Sequence, residues 1–216
     1  QALKARGTAQ STGLKVGQFD VDFDGLWSQR NLAVRQLNLV HQATRAAAQV
    51  QGVVHVPAGQ KLGFDLRGDW QQLRYPLRPG NATLRSATGR FTLAGNNPWQ
   101  VQVEGDLQVA GLQTVRARLN GELQPQGFAL RSGEVDGYGG RARVQGRIGW
   151  SGPRGWSLTG EVQSLDVGQL RHDLPGRIDF GFAASSPQLT ADADLDLRLE
   201  GLRGRVRGVV ARGAGH

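Results

Sequence analysis

With 216 residues, 38% of them apolar, 6% aromatic and 32 glycine, the chain is short of the filling that a compact helical or doubly wound domain needs. Cysteine is absent, which excludes disulfides, thiolate nucleophiles and cysteine-based zinc sites together. The net charge of +8 comes from arginine apart from Lys4, Lys15 and Lys61, and arginines such as Arg116, Arg118, Arg141, Arg143 and Arg147 are spread singly, with no aromatic ladder between them. That spacing reads as a solvated face and argues against nucleic acid.

No run approaches the roughly 18 apolar residues of a membrane-spanning helix. Methionine is absent even at position 1. Residues 1–216 are therefore expected to form a single β segment cut from a longer chain.

The pattern along the chain has period 2. Phe19 to Phe23 alternate as FDVDF, with Asp20, Asp22 and Asp24 opposite, and Gly25 and Trp27 extend the apolar parity. The aspartates open like a D-x-D-x-D-G calcium loop, but Asn31 stands where the bidentate glutamate belongs, so they read as the solvent face of a strand. Asp192, Asp194 and Asp196 read the same way. Leu32 to Ala48 contain helix-tolerant residues, yet Leu37 and Leu39 alternate around Asn38, and His41 to Thr44 looks like a polar turn, so strands are expected there.

Phe64 and Leu66 alternate into Gly68 and Trp70. Tyr75 to Asn81 contains two prolines, which remove ladder donors and make it a loop or an irregular edge. Phe91 and Leu93 lead to Gly95 and the turn Asn96-Asn97-Pro98. Trp99, Val101, Val103 and Leu107 share a parity around Gly105, and Val115, Ala117, Leu119 and Leu123 around Gly121.

Gly140 to Val162 reads as a hairpin. Ala142, Val144, Ile148 and Trp150 face Trp156, Leu158 and Val162 across Ser151 to Gly155, with Gly146 and Gly160 in mid-row. After Pro175-Gly176 come Ile178, Phe180 and Phe182, then Leu195, Leu197 and Leu199 leading to Gly201. Val206-Arg207-Gly208-Val209 repeats the apolar-x-Gly-x-apolar unit a last time.

Glycine weakens a strand, so its recurrence in apolar rows implies a geometric need, and bending is one. The expectation is an all-β fold: an elongated, strongly curved, mainly antiparallel sheet forming a U-shaped, taco-like groove with an apolar concave face. Gly105, Gly121, Gly146 and Gly160 would mark the bends. Strands of roughly 8 to 12 residues would number on the order of 15 to 20. The groove lining would be Phe64, Leu66, Phe91, Leu93, Val101, Val103 and Leu107, continued by Leu119, Val144, Ile148, Leu158, Val162, Phe180, Phe182, Leu195 and Leu197.

Signs of catalysis are missing. His41, His55, His172 and His216 are scattered, and Ser11, Ser132 and Ser151 lie outside any G-x-S-x-G elbow. Gly137 to Gly140 lacks the dinucleotide spacing, and Asn81-Ala82-Thr83 is a sequon by chance. No enzyme activity, no metal and no cofactor are expected. Trp99, Trp150 and Trp156 sit beside turns, where an indole covers an edge and finds an acceptor.

Gly68-Asp69-Trp70-Gln71-Gln72-Leu73-Arg74-Tyr75-Pro76-Leu77, then Ser86 to Gly95 (SATGRFTLAG), then Gly139-Gly140, Gly146, Trp150, Trp156, Leu165-Asp166 and Leu174 to Ile178 resemble, in that order, the mid-region of the TamB family. The resemblance spans residues 62–182, and Val167 departs from it where a proline would follow Leu-Asp. It implies a periplasmic, AsmA-like β segment whose parent is anchored in the inner membrane of a Gram-negative bacterium. The parent would reach an outer-membrane partner of the Omp85 type, TamA, with anchor and partner contacts both outside these residues. It further implies phospholipid transport along an apolar groove, with the acyl chains as the bound partner, and a link to autotransporter assembly. A folding scaffold that pairs its strand edges with nascent outer-membrane proteins is the alternative, and the open ends or edges would allow self-association.

Overall fold

The structure, a computed structural model, describes residues 1–10, 17–56, 62–151, 155–189 and 194–215. Ser11, Lys15, Lys61, Asp192, His216 and loop residues 152–154 of the expected hairpin lie outside the described residues. The chain is all-β and divides into two compact units, Gln1–Thr114 and Val115–His216.

In the first unit β1 (Ala2–Gln10), β2 (Gln18–Ser28), β3 (Asn31–His41), β4 (Ala47–His55), β5 (Gly63–Tyr75), β6 (Leu84–Asn96) and β7 (Trp99–Val109) follow one another. Each is antiparallel to the next. The stretch with helical tolerance is extended, as its alternation requires, for Leu37 pairs with Val50 and Leu39 with Ala48. His41 to Thr44 is the expected turn, closed by the His41 amide donating to the Ala46 carbonyl at 2.8 Å. The proline-rich stretch after Tyr75 is irregular, and the Thr83 amide donates to the Tyr75 carbonyl at 2.9 Å to rejoin the sheet.

The second unit holds β8 (Val115–Gln124), β9 (Gly127–Gly137), β10 (Gly140–Gly149), β11 (Gly155–Asp166), β12 (Gly176–Ser186), β13 (Asp196–Val206) and β14 (Val209–Gly215), again antiparallel in chain order. A single helical turn, α1 (Val167–Leu170), joins β11 to β12. The Asp166 side chain caps it, accepting from the Gly168 amide at 3.0 Å. Val167 is its first residue, the position where a helix best tolerates proline, so the departure from the family pattern leaves the turn intact.

Two expectations need correction. Among the described residues the strands number fourteen rather than 15 to 20, because the connections take up chain and two strands, β5 and β6, exceed the assumed length at 13 residues each. Gly208 is also not a strand centre. Arg207 (φ 48°) and Gly208 (φ 79°) form a two-residue hairpin turn, like Tyr138 (φ 51°) and Gly139 (φ 68°), because left-handed residue pairs match the twist of the strands they join.

Candidate functional site: an uncovered apolar face

Residues directly opposite on neighbouring strands share a face, so the registers assemble rows that the sequence shows only in pieces. In the first unit one row runs Val50, Gly68, Phe91, Val103, and the next runs Gly52, Leu66, Leu93, Val101. The row on the other side runs Ala48, Trp70, Gly89, Gly105. Phe64 stands opposite Val54 and Gly95, its ring edge-on to Trp99 with centroids 5.3 Å apart. Leu107 keeps the parity of Val101 and Val103 but lies past the register shift between Arg85 and Gly89.

The second unit repeats the arrangement over more strands. Leu119, Gly133, Val144, Gly160, Phe182 and Leu199 form one row, and Gly121, Leu130, Gly146, Leu158, Ala184 and Leu197 the next. Flanking rows carry Leu123, Phe128, Ile148 and Trp156 on one side and Ala117, Val135, Ala142, Val162 and Phe180 on the other. The expected hairpin is observed, and Gly146 and Gly160 do lie in apolar rows. Leu195 precedes β13, and Trp150 lies just beyond β10 rather than within its row.

The glycines of these rows make room for side chains of adjacent strands. A Cβ on Gly68 would stand 2.7 Å from the Phe91 ring, one on Gly160 2.9 Å from the Phe182 ring, and one on Gly146 2.8 Å from Leu158. Phe128 lies in the same way over Gly121, and the Trp70 indole over both Gly89 and Gly105. Trp70 is anchored there by donating from Nε1 to Ser86 Oγ at 2.8 Å. Ser86 is 7% exposed and accepts that bond beside the bulge of β6. The sequence reading missed this lock, whose only trace is a tryptophan and two glycines in different strands.

Among the described residues no element of either unit is layered over the apolar rows. Among the described residues the buried apolar side chains are Val34, Ala46 and Ala82, whereas Ile148, Leu197 and Leu195 are 39%, 43% and 59% exposed. The accessible surface is 14157 Å². A compact chain of 23.3 kDa would expose about 9,700 Å². The excess fits sheets that keep both faces open.

The opposite face is polar and internally paired. Arg118, Glu134, Arg143 and Glu161 stand in one row of alternating charge, and Arg116, Asp136 and Arg141 in another. Arg141 Nε lies 2.7 Å from Asp136 Oδ1. That hydrogen bond, helped by the charges of Arg141, Arg118 and Arg116 and opposed by desolvation, holds the Asp136 carboxyl below its ordinary range. A depression of about 470 Å³ opens over the alternating row.

In the first unit Asp20, Asp22 and Asp24 of β2 stand opposite Thr8, Arg6 and Lys4 of β1. Gln42 donates to Asp20 at 2.6 Å, Arg6 to Asp22 at 3.0 Å, and Lys4 Nζ is 3.7 Å from Asp24. Among the described residues no three His, Asp or Glu side chains gather as metal ligands. His41 is buried with Nδ1 2.6 Å from Thr44 Oγ1, His55 Nδ1 is 2.8 Å from Asn31, and His172 is exposed, so the structure does not bring them together. Trp99 and Trp150 cover turns as expected, donating to the Leu62 carbonyl at 3.0 Å and the Pro125 carbonyl at 2.8 Å.

Antiparallel strands paired in chain order, with apolar rows in register and cross-strand ion pairs between them, define an open-sheet, all-β protein. The chain belongs to the TamB family: the family model described as TamB, N-terminal domain, matches residues 2–215. The match carries the resemblance through both flanks, and its description points to the N-terminal domain where the motifs pointed to the mid-region. No curated protein and no solved structure gives a significant match. The family is one of bacterial envelope proteins, and among the described residues no helix is long and apolar enough to cross a membrane.

Proposed function

We propose that this segment works without catalysis as a periplasmic conduit, its apolar rows shielding phospholipid acyl chains between the inner and outer membranes. The observation that supports the reading is the alignment of apolar residues into rows across consecutive strands, with Ile148 and Leu197 among the exposed ones. Curvature that makes this face concave would turn it into a groove. Each CH₂ kept from water is worth about 0.8 kcal/mol, so two acyl chains of ordinary length would otherwise cost on the order of 20 kcal/mol to carry through water. A lining without fixed polar anchors lets a lipid slide. In the whole protein an inner-membrane anchor and an Omp85-type partner, TamA, would supply the two ends of the path.

Photo-crosslinkers test the reading. At Val103 or Ile148 they should capture phospholipid, and at Gln102 or Arg147, on the polar parity, they should not. Equal labelling of both parities would sink it.

A second reading has one observation in its favour: β1 has β2 as its one sheet neighbour among the described residues, leaving a strand edge open to pairing. Successive amides of a strand point to opposite edges, so proline at Ala5 or at Arg6 places one missing donor on that edge. If the segment scaffolds outer-membrane clients, one of the two substitutions should slow client assembly while lipid capture is unchanged.

A further inference from the structure

The ends of β5, β6 and β7 carry a charge arrangement that the ion-paired rows do not. Arg74 stands directly opposite Arg85, and Arg85 opposite Gln108. Like charges directly opposite one another destabilise a strand pair unless something neutralises them. Two other such pairs occur, Arg177 with Arg205 and Arg203 with Arg212, on exposed positions of β12, β13 and β14. Arg74 and Arg85 line a depression of about 320 Å³, together with Gln72, Asp106, Gln108 and Thr114.

Beside the depression, Arg74 also carries an unsatisfied donor. Arg74 Nη2 donates to the Gly80 carbonyl, which fixes the guanidinium, while its Nε is buried and has no hydrogen-bond partner. A buried charged donor left without an acceptor costs free energy, and an anion close to the guanidinium lowers that cost. Among the described residues neither Arg85 nor Asp106 is engaged in an ion pair, so Asp106 does not neutralise the two arginines.

We infer that this depression is a phosphate-binding site, gripped by Arg74 and Arg85 from adjacent strands. Directly opposed residues have Cβ atoms about 5 Å apart, close enough for two guanidinium groups to meet one tetrahedral anion. The planar fork of arginine matches phosphate oxygens, and Gln108 and Thr114 add neutral donors. The Asp106 carboxylate lines the same depression, repels an anion there and so tempers affinity. The chemistry is that of a terminal phosphate, whether on a lipid headgroup or free, and the inference does not depend on what covers the apolar face.

Calorimetric titration of the 216-residue chain with inorganic phosphate, and separately with short-chain phosphatidic acid below its micelle concentration, tests it. Saturable binding at one site is expected. Arg74→Gln and Arg85→Gln should each weaken it by about tenfold or more, since charge-assisted hydrogen bonds are lost, and Asp106→Asn should tighten it. Arg205→Gln, from an exposed like-charged pair, should change nothing. Because Arg74 also holds the Gly80 loop, the exposed Arg85 supplies the variant whose fold is not in question. Binding of both ligands or of phosphate alone supports a site for the ion itself, and binding of phosphatidic acid alone assigns the headgroup as its source. Binding of neither overturns the inference, as does an equal loss in Arg205→Gln, which would mean that the basic surface attracts anions without a site.

Discussion

In the first unit one tryptophan, Trp70, covers two glycines, Gly89 and Gly105, beside the single cover of Gly68 by Phe91, whereas in the second Phe128 covers Gly121 and Phe182 covers Gly160, one ring to one glycine. Trp70 is also tethered through Ser86, while phenylalanine has no polar atom to tether. The first arrangement concentrates the packing of three strands in one side chain. The second spreads it along the rows, so that no single ring organises the sheet. The difference makes the two units unequal in their sensitivity to single changes.

The sharpest test is to remove the rings. Trp70→Ala should destabilise the first unit by about 3 kcal/mol, because it strips two glycine positions and leaves Ser86 without its donor. Phe182→Ala should cost about 2 kcal/mol, since it uncovers one. Urea unfolding of the two variants compares them, and equal losses would dissolve the contrast. Filling the glycines should come next. Gly89→Ala and Gly160→Ala should each cost about 1–3 kcal/mol by overpacking, with different local readouts. The first displaces the indole and shifts Trp70 fluorescence; the second presses on the Arg143 carbonyl and lowers amide protection across β10 and β11.

A smaller effect is expected at the tether, where Ser86→Ala should cost about 1 kcal/mol by removing the acceptor for the indole N–H. The smallest lies on the polar face of the second unit. The Asp136 carboxyl titrates below its ordinary range in the folded chain, so its ion pair contributes above the unfolded carboxylate pKa, about 3.9, and the contribution is lost as pH falls through the folded value. Asp136→Asn should therefore lower the urea midpoint slightly at pH 7 and leave it unchanged at pH 2. Since the group is exposed, added salt should shrink even the neutral-pH difference.

Much of this architecture is legible in the residues because a half-buried strand writes its period directly into the chain. Phe19 to Phe23, Trp99 to Leu107 and the hairpin from Gly140 to Val162 could be placed by alternation alone. What alternation cannot convey is which residue faces which across a pair. The cover of Gly89 by Trp70 depends on a register set by the irregular loop after Tyr75, and the opposition of Arg74 and Arg85 depends on the same loop. Gly208 was misplaced because a two-residue turn and a strand centre can share the string apolar-x-Gly-apolar, and only the backbone torsions separate them. The apolar rows themselves were recognised strand by strand, and their continuity across strands emerges once the bulges are known.

The order of the strands has a further consequence, for how the chain reaches its structure. Within each unit every partner strand is also the next strand in the chain, so each step of assembly closes a short loop and no distant segment has to be awaited. That is unusual for an all-β protein, where pairing between remote strands normally slows folding and leaves intermediates exposed to aggregation. Here a newly emerged strand needs only its predecessor as a template. A chain of this kind can lengthen its sheet in the direction of its own synthesis, with stability accumulating strand by strand as it does in repeat proteins.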